Sequence, residues 1–532
     1  MSCKRSDRQK LTALRFGPTR GHRLIEDKLL SMHVSEASLE KLFGPVVLSW
    51  FQANFDGPTQ VQAQGWPLIA EGKNVLLLAP TGSGKTLAAF LYSIQQLLAN
   101  SGKPEPGVKV VYVSPLKALV YDIEKNLQGP LRGLQVWAER LQLSIALPTV
   151  GVRTGDTSSA DRSRLRKHPP DILVTTPESL FLILGSEARE TLRTVRTIIV
   201  DEVHSLAPTK RGAHLALSLE RLSELCDAPP QRIGLSATVR PPQEVATYLA
   251  GSQREVVIVD TLVPPRLDLE VVSPVEDMSE PNAVPTELEN QASFLAQMQS
   301  EDVLRRAGGM GHGQAAEGAG SLWPAIYPQI LDLILAHHST IVFVNSRGLC
   351  ERMALRLNEL YLLRQQQIEP DSNPGELVKA HHGSVAHEER IVIEDGLKSG
   401  KLRAIVATSS LELGIDMGAV DLVVLVESPG SVARGLQRVG RAGHGVGQLS
   451  IGKIFPKHRS SLAECAVVAR QMSLGAIEAI TVPKRPLDVL CQQLAAIVAQ
   501  GPSSLQRLRN LVKGAYAYQN LSDEVLRSCL EM

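Results

Sequence analysis

Eight residues constrain this chain more than any others: Ala79-Pro80-Thr81-Gly82-Ser83-Gly84-Lys85-Thr86, set between an apolar run and a helical one. Asn74 to Leu78 reads as a short buried strand, and LAAFLYSIQQLL after Thr86 as a helix. Strand, glycine-rich turn, Lys-Thr and helix make a P-loop, with Ala79 where a first glycine often stands. Glycine lets backbone N–H groups converge on a phosphate with no Cβ in the way. The helix N-terminus adds partial positive charge at the same point. Thr81, Gly82, Ser83 and Gly84 are then the phosphate cradle. Lys85 would reach the β- and γ-phosphates of a nucleotide, and the Thr86 hydroxyl would hold Mg²⁺. A plain turn between strand and helix is the rival reading, and the Lys-Thr pair counts against it.

At 532 residues the chain exceeds what one core can organise, so two to four domains are expected. With 43% hydrophobic and 21% charged residues it is globular rather than disordered. A formal charge of +1 excludes a strongly basic binder, so any nucleic-acid contact must come from a local patch. The six cysteines are scattered with no CxxC pair, which argues against a disulfide framework or a zinc site and suits a reducing cytoplasm. The N-terminus lacks the apolar segment of a signal peptide, and no apolar run is long enough to span a bilayer.

Residues 1–32 are expected to form a basic, solvated tail, a phosphate-contacting arm being the minority reading. A helical stretch with Leu39, Leu42, Phe43, Val46, Val47, Trp50 and Phe51 on one face follows. In Phe55-Asp56-Gly57-Pro58-Thr59-Gln60-Val61-Gln62, the Gln62 amide can donate and accept at once, which matches the edge of adenine. Beyond the P-loop, apolar strands alternate with helices. Val108–Val113, Asp171–Val174, Thr197–Val200 and Arg232–Leu235 end in polar signals: SPLKAL, TTPESL, DEVH and SAT. Such a pattern predicts a parallel sheet covered on both faces, with its ligands at the carboxyl ends of the strands. Asp201 would bind Mg²⁺ through water, and Glu202 would orient or deprotonate the attacking water.

Residues 33–273 are expected to form this first domain. Glu255–Val259 and Leu267–Val272 are strand-like and lead toward a second. Residues 274–322, acidic and then Gly-rich, read as a flexible insertion with a short helix near Phe294–Arg306. A second α/β series fills 323–485, with strands Thr340–Val344, Leu377–Ala380, Arg403–Ala407 and Val420–Val426, and it has no P-loop. Arg438 and Arg441, three apart in a helical segment, would share one face and aim at one polyphosphate. His381 and His382 do not make a metal site, since adjacent side chains diverge. From 486 to 532 the chain turns helical.

GPTQVQ, APTGSGKT, PLKAL, TTPESL, DEVH, SAT, FVNSR, HHGS, ATSSLELGID and QRVGRAGH occur in the order of superfamily 2 helicase motifs of the DEAD/DEAH-box type. With RTGDT at Arg153–Thr157, the set most resembles the large helicase-related (Lhr) family, over roughly Phe51 to Met532. The resemblance implies an α/β fold: two RecA-like parallel-sheet domains in tandem, ATP in the cleft between them, and the start of a helical winged-helix domain. It implies ATP and Mg²⁺ as cofactors, Asp416 as a ribose or coupling residue, and Arg438 and Arg441 as arginine fingers. His204, Ser236 and Thr238 would couple ATP state to the second domain. Lys117, Thr157, Thr176, Ser346, His382 and Thr408 would track a nucleic-acid backbone.

The expected function is therefore an ATP-dependent helicase or translocase on single-stranded nucleic acid, DNA favoured over RNA, 3′-to-5′ by resemblance and with a role in DNA repair. Its rivals are a remodeller or RNA helicase that does not unwind DNA, and a nucleotide-switched binding fragment without catalysis. The chain stops partway into the winged helix, which suggests a fragment or a partner chain that supplies the rest. Leu487, Leu490, Ile497 and Leu508 are then expected to lack part of their packing.

Overall fold

The computed structural model describes residues 13–16, 36–80, 82–99, 105–262, 266–278, 322–371, 374–412, 420–443 and 448–532. Thr81, Asp416, most of the basic tail and the proposed helix near Phe294–Arg306 lie outside them.

In chain order, the first elements are strand β1 (Ala13–Phe16) and helices α1 (Glu36–Leu42), α2 (Pro45–Asn54) and α3 (Gln60–Ala70). The single helix expected at 39–51 is two, because Gly44 and Pro45 interrupt it. Then come β2 (Val75–Leu78), α4 (Lys85–Ala99), β3 (Val110–Val113), α5 (Lys117–Arg140), β4 (Val150–Arg153), α6 (Ser159–Lys167), β5 (Ile172–Thr175) and α7 (Pro177–Leu184). A 3-10 turn, Glu187–Leu192, leads to β6 (Thr197–Val200), α8 (Val203–Leu206), α9 (Lys210–Leu225), β7 (Gln231–Ser236), α10 (Pro242–Ala250) and β8 (Val257–Asp260).

The second series runs β9 (Arg266–Val272), α11 (Trp323–Ala336), β10 (Thr340–Phe343), α12 (Arg347–Ile368), β11 (Val378–His381), α13 (His387–Lys398), β12 (Ala404–Ala407), β13 (Leu422–Val426), α14 (Val432–Val439), β14 (Leu449–Phe455) and α15 (Arg459–Ser473). Helices α16 (Leu487–Val498), α17 (Leu505–Gly514) and α18 (Asp523–Glu531) close the chain.

Two compact units result, each with a seven-stranded sheet. The P-loop unit comprises Leu24–Val263 and Ala479–Met532. Its sheet is parallel throughout, in the order β4-β5-β3-β6-β7-β2-β8. The arginine unit comprises Met1–Arg23 and Pro264–Glu478, with sheet order β1-β9-β14-β13-β10-β12-β11, parallel but for the edge strand β1. This is the expected pair of RecA-like parallel sheets.

In the P-loop unit both sheet faces are buried, and side chains alternate between two cores as the pleat requires. Leu76, Leu78, Val111, Val113, Ile198 and Val200 enter one core with α7 and α9. Val75, Leu77, Val110, Tyr112 and Ile199 enter the other with α2 to α5.

The boundaries differ from those expected in three places. β9 was assigned to 33–273, yet it pairs with β14 and belongs to the second sheet, so the first segment of the P-loop unit ends at Val263. Part of the basic tail is β1, whose Arg15 bonds Asp268 of β9. Residues 479–532 do not stand apart: their apolar positions join the buried cluster of α7 and α9. Leu490, Ile497 and Leu508 are 0%, 5% and 3% exposed, so the expectation that they lack partners is wrong for them, while Leu487 is 41% exposed. The partners missing from a local reading are helices more than 250 residues earlier, as the Arg221–Gln493 bond at a separation of 272 shows. Among the described residues no helix is long and apolar enough to cross a membrane.

Candidate nucleotide site and strand-facing edges

The P-loop leaves β2 at its carboxyl end. Gly82 and Gly84 hold φ values of +77° and +79°, a conformation glycine adopts without strain. A Cβ on Gly84 would lie 2.5 Å from Gln62 Nε2, so any side chain here would have to displace the Gln62 amide. Lys85 opens α4 and its Nζ donates to the Ala79 carbonyl at 2.6 Å. Thr86 follows on the first turn, half-buried. Successive glycines in this conformation at a helix N-terminus, with a lysine folded back along the loop, fit a nucleotide polyphosphate.

Gln62 is 3% exposed. Its Oε1 accepts from Thr59 N at 3.0 Å, closing the N-terminal cap of α3, and its Nε2 donates to the Gly84 carbonyl at 3.3 Å. The amide expected to read adenine thus also ties α3 to the P-loop.

Asp201 and Glu202 follow β6, adjacent to β7 and β3 in the sheet. Asp201 Oδ1 accepts from Glu202 N at 2.8 Å, and Oδ2 accepts from the Tyr112 hydroxyl. Burial and the Glu202 charge push the Asp201 carboxyl up to about 6, against the opposing pull of the Tyr112 bond and of Lys85. Glu202 sits at φ 46°, ψ 44°, the left-handed region that is uncommon for a non-glycine residue, and is 7% exposed.

His204 Nδ1 lies 3.4 Å from Glu202 Oε2, 3.2 Å from Ser236 Oγ and 3.4 Å from the Ala237 N–H. Burial and the Lys85 charge lower its imidazole to about 4, so it is neutral at pH 7 and can accept the Ala237 proton. Two sheet ends, DEVH and SAT, are joined through this one ring. Thr238 is exposed beyond the junction.

In the same unit, Lys117 Nζ bonds Asp156 Oδ1 at 2.6 Å, and Thr157 Oγ1 accepts from Thr154 N at 2.9 Å. Lys117 and the 154–157 loop therefore meet at one sheet edge. Thr176 caps α7, accepting from Ser179 N at 3.4 Å, and is 3% exposed. What it presents outward is a helix N-terminus rather than a loose hydroxyl.

In the arginine unit Ser346, His382 and Thr408 stand just past the carboxyl ends of the adjacent strands β10, β11 and β12. Ser346 caps α12, and Thr408 N donates to the His381 carbonyl at 3.3 Å. His382 Nε2 lies 2.6 Å from Glu351 Oε1, while His381 reaches Ser410 at 2.9 Å and Glu394 at 3.0 Å. The two imidazoles, one at the last residue of β11 and one just beyond it, diverge to separate partners.

Arg438 and Arg441 do not share a helix face. α14 ends at Val439 and Gly440 caps it, so Arg441 falls in the turn beyond. They converge all the same, on Glu412: Arg438 Nε donates to its carboxylate at 2.7 Å and Arg441 Nη2 to its carbonyl at 2.9 Å. Arg438 also donates to Asn345 Oδ1 at 3.1 Å and lies over the Phe343 ring. Tyr112, Glu412 and Asn345 were not singled out from sequence. A lone phenol in the otherwise aliphatic run VVYV, and an acid in a motif that faces arginines, are the signals that could have found them.

Residues 59–245 match the DEAD/DEAH box helicase model, 325–445 the helicase conserved C-terminal domain, and 470–532 the winged helix domain of large helicase-related protein. The chain is 48% identical over 511 residues to the Lhr helicase/probable uracil glycosylase of Mycolicibacterium smegmatis, covering 92% of this chain and 32% of the relative. To the ATP-dependent helicase Lhr-Core of Methanothermobacter thermautotrophicus it is 40% identical over 505 residues, covering 93% and 53%. A solved structure of Mycobacterium smegmatis helicase Lhr bound to ssDNA and AMP-PNP superposes with a TM-score of 0.78 at 49% identity, over 92% of this chain and 57% of that one. The chain thus spans about a third to a half of the length of these curated relatives.

Proposed function

The chain belongs to the large helicase-related family of superfamily 2 helicases, and from that membership we propose that it is an ATP-dependent helicase or translocase acting on single-stranded nucleic acid, DNA in preference to RNA. The observation that carries this is the His204 junction. His204, two residues past Glu202 on the same turn, accepts from the Ala237 N–H and meets the Ser236 hydroxyl, so the segment carrying the acidic pair is tied to the Ser236–Ala237 turn at a second strand end.

In this reading the glycine cradle, Ser83, Lys85 and Thr81 bind the polyphosphate, and Gln62 exchanges one of its bonds for adenine. Thr86 and Asp201 would hold Mg²⁺, which would supply charge neutralisation at the phosphates. Glu202 holds the attacking water and takes its proton, with its backbone conformation fixing where the carboxylate sits. Arg438 and Arg441 are the cationic groups for the developing phosphate charge, prearranged by Glu412, and Asp416 serves the ribose or the coupling. Lys117, Thr157, Thr176, Ser346, His382 and Thr408 offer hydroxyls, cations and helix N-termini to backbone phosphates, which carries little sequence preference. Polarity 3′-to-5′ and a repair role are the family's suggestion. Free thiols at Cys226, Cys350, Cys465, Cys491 and Cys529 accord with a reducing cytoplasm.

The test is Mg²⁺-dependent ATP turnover with and without single-stranded DNA or RNA, run beside strand displacement on a duplex with a 3′ tail. Stimulation by strands together with displacement supports the reading. Turnover unchanged by a strand the protein binds refutes it. Stimulation without displacement favours a translocase that does not unwind.

A further inference from the structure

Away from the P-loop, in the layer formed by α7 and α9, the C-terminal helices α16 and α17 leave a cavity of about 390 Å³ in the P-loop unit. Its charged lining is Arg189, Arg193, Arg221, Arg507, Glu190 and Glu224. Four guanidiniums face two carboxylates, and both carboxylates are already engaged. Glu224 takes Arg507 through two bonds of 2.8 Å, and Glu190 takes Arg189 and Arg193.

Arg221 is the group this leaves over. It is 6% exposed, and its partners are neutral: Gln493 Oε1 at 3.0 Å, the Leu184 carbonyl at 3.4 Å and the face of Phe181. Burial and the neighbouring Arg189 and Arg507, against the opposing pull of Glu224, lower it to about 10, which leaves it charged at pH 7. A buried cation that bonds no carboxylate of its own, with Glu224 acting on it only at a distance, is costly, and an anion in the adjoining space would offset that cost. The walls come from both the early helices and the last 54 residues of the unit (Ala479–Met532), and Gln500 crosses the junction by bonding the Leu184 carbonyl and Arg189. Guanidinium forks match phosphate oxygens better than they match chloride.

We infer that this cavity is a phosphate-binding site, separate from the nucleotide site, that fastens α16 and α17 to α9. Its ligand is a phosphate group, whether of a free anion such as pyrophosphate or of a nucleic-acid backbone.

The experiment titrates inorganic pyrophosphate into the full chain carrying Lys85→Ala, which weakens the P-loop as a competing phosphate site, and reads heat at constant ionic strength against chloride. One saturable site is expected, weakened tenfold or more by Arg221→Met. Arg193→Gln and Arg507→Gln, at positions where the side chains are 50% and 47% exposed, keep the test alive if Arg221→Met fails to fold, and each should weaken binding severalfold. A second arm adds a short single-stranded oligonucleotide. Displacement of pyrophosphate supports the site with a strand as the phosphate source, and retention of pyrophosphate supports it with a free anion. No saturable binding, or binding unchanged by all three substitutions, overturns the proposal.

Discussion

Leu490→Ala tests whether the C-terminal helices are part of the P-loop unit's own core. Leu490 is 0% exposed and belongs to the same buried cluster as Leu180, Ile183 and Leu217. Removing a fully buried isobutyl group costs about 2–5 kcal/mol, the upper end applying where the site cannot collapse. Packing of α16 against α9 and α18 within one buried cluster argues for about 3 kcal/mol. Leu487 begins the same helix but is 41% exposed, so Leu487→Ala should stay within about 0.5 kcal/mol. The assay is urea unfolding followed by tryptophan fluorescence. Trp50, Trp66 and Trp137 lie in the P-loop unit and Trp323 in the other, so the signal reports mainly the unit in question. With a slope of about 3 kcal/mol per molar urea, the midpoint should fall by about 1 M for Leu490→Ala and hardly at all for Leu487→Ala. If both substitutions leave the tryptophan transition unmoved, α16 folds on its own and the shared core is wrong.

Glu202→Gln should keep nucleotide affinity and lose turnover, whereas Lys85→Ala should weaken both; equilibrium nucleotide binding and phosphate release, measured side by side, separate the two roles. Gly84→Ala should weaken nucleotide binding tenfold or more, chiefly because φ +79° is a backbone conformation that alanine resists, while the Gln62 amide at 2.5 Å from the new Cβ must also give way; wild-type affinity would show the loop can rearrange. Glu412→Ala should destabilise the arginine unit by about 3 kcal/mol, since it strips a 4%-exposed Arg438 of its carboxylate. Thermal unfolding of that variant, with Glu412→Gln as the milder control, checks it.

Much of this was readable in advance because the signals were local. Val75–Leu78 and Ile198–Val200 are unbroken aliphatic runs that end in Gly-rich or acidic signals, as a strand buried on both faces does. Strands β4 and β14 were missed for the converse reason. VGVR lies at a sheet edge, half-buried, and LSIGKIF interleaves polar residues and a glycine with its apolar ones. β1 hid in a basic stretch because its arginine is paid for by Asp268, which is 253 residues away. At the site, each residue type and its chemistry could be read, but not its present engagement. That Lys85 turns to Ala79, or that Gly440 stops a helix before Arg441, depends on backbone geometry that spacing does not encode.

The order in which the chain visits its two units has a consequence for synthesis. It enters the P-loop unit at Leu24, leaves at Val263 and returns only at Ala479. Arg221 must therefore wait for Gln493, which emerges 272 residues later. At ~5–20 residues per second the delay is roughly a quarter of a minute to a minute. Through that interval the nascent α7–α9 surface is complete but uncovered, while the whole arginine unit is made and can fold. A ribosome-bound chain halted near Glu478 should present that apolar face to chaperones, and one released past Met532 should not.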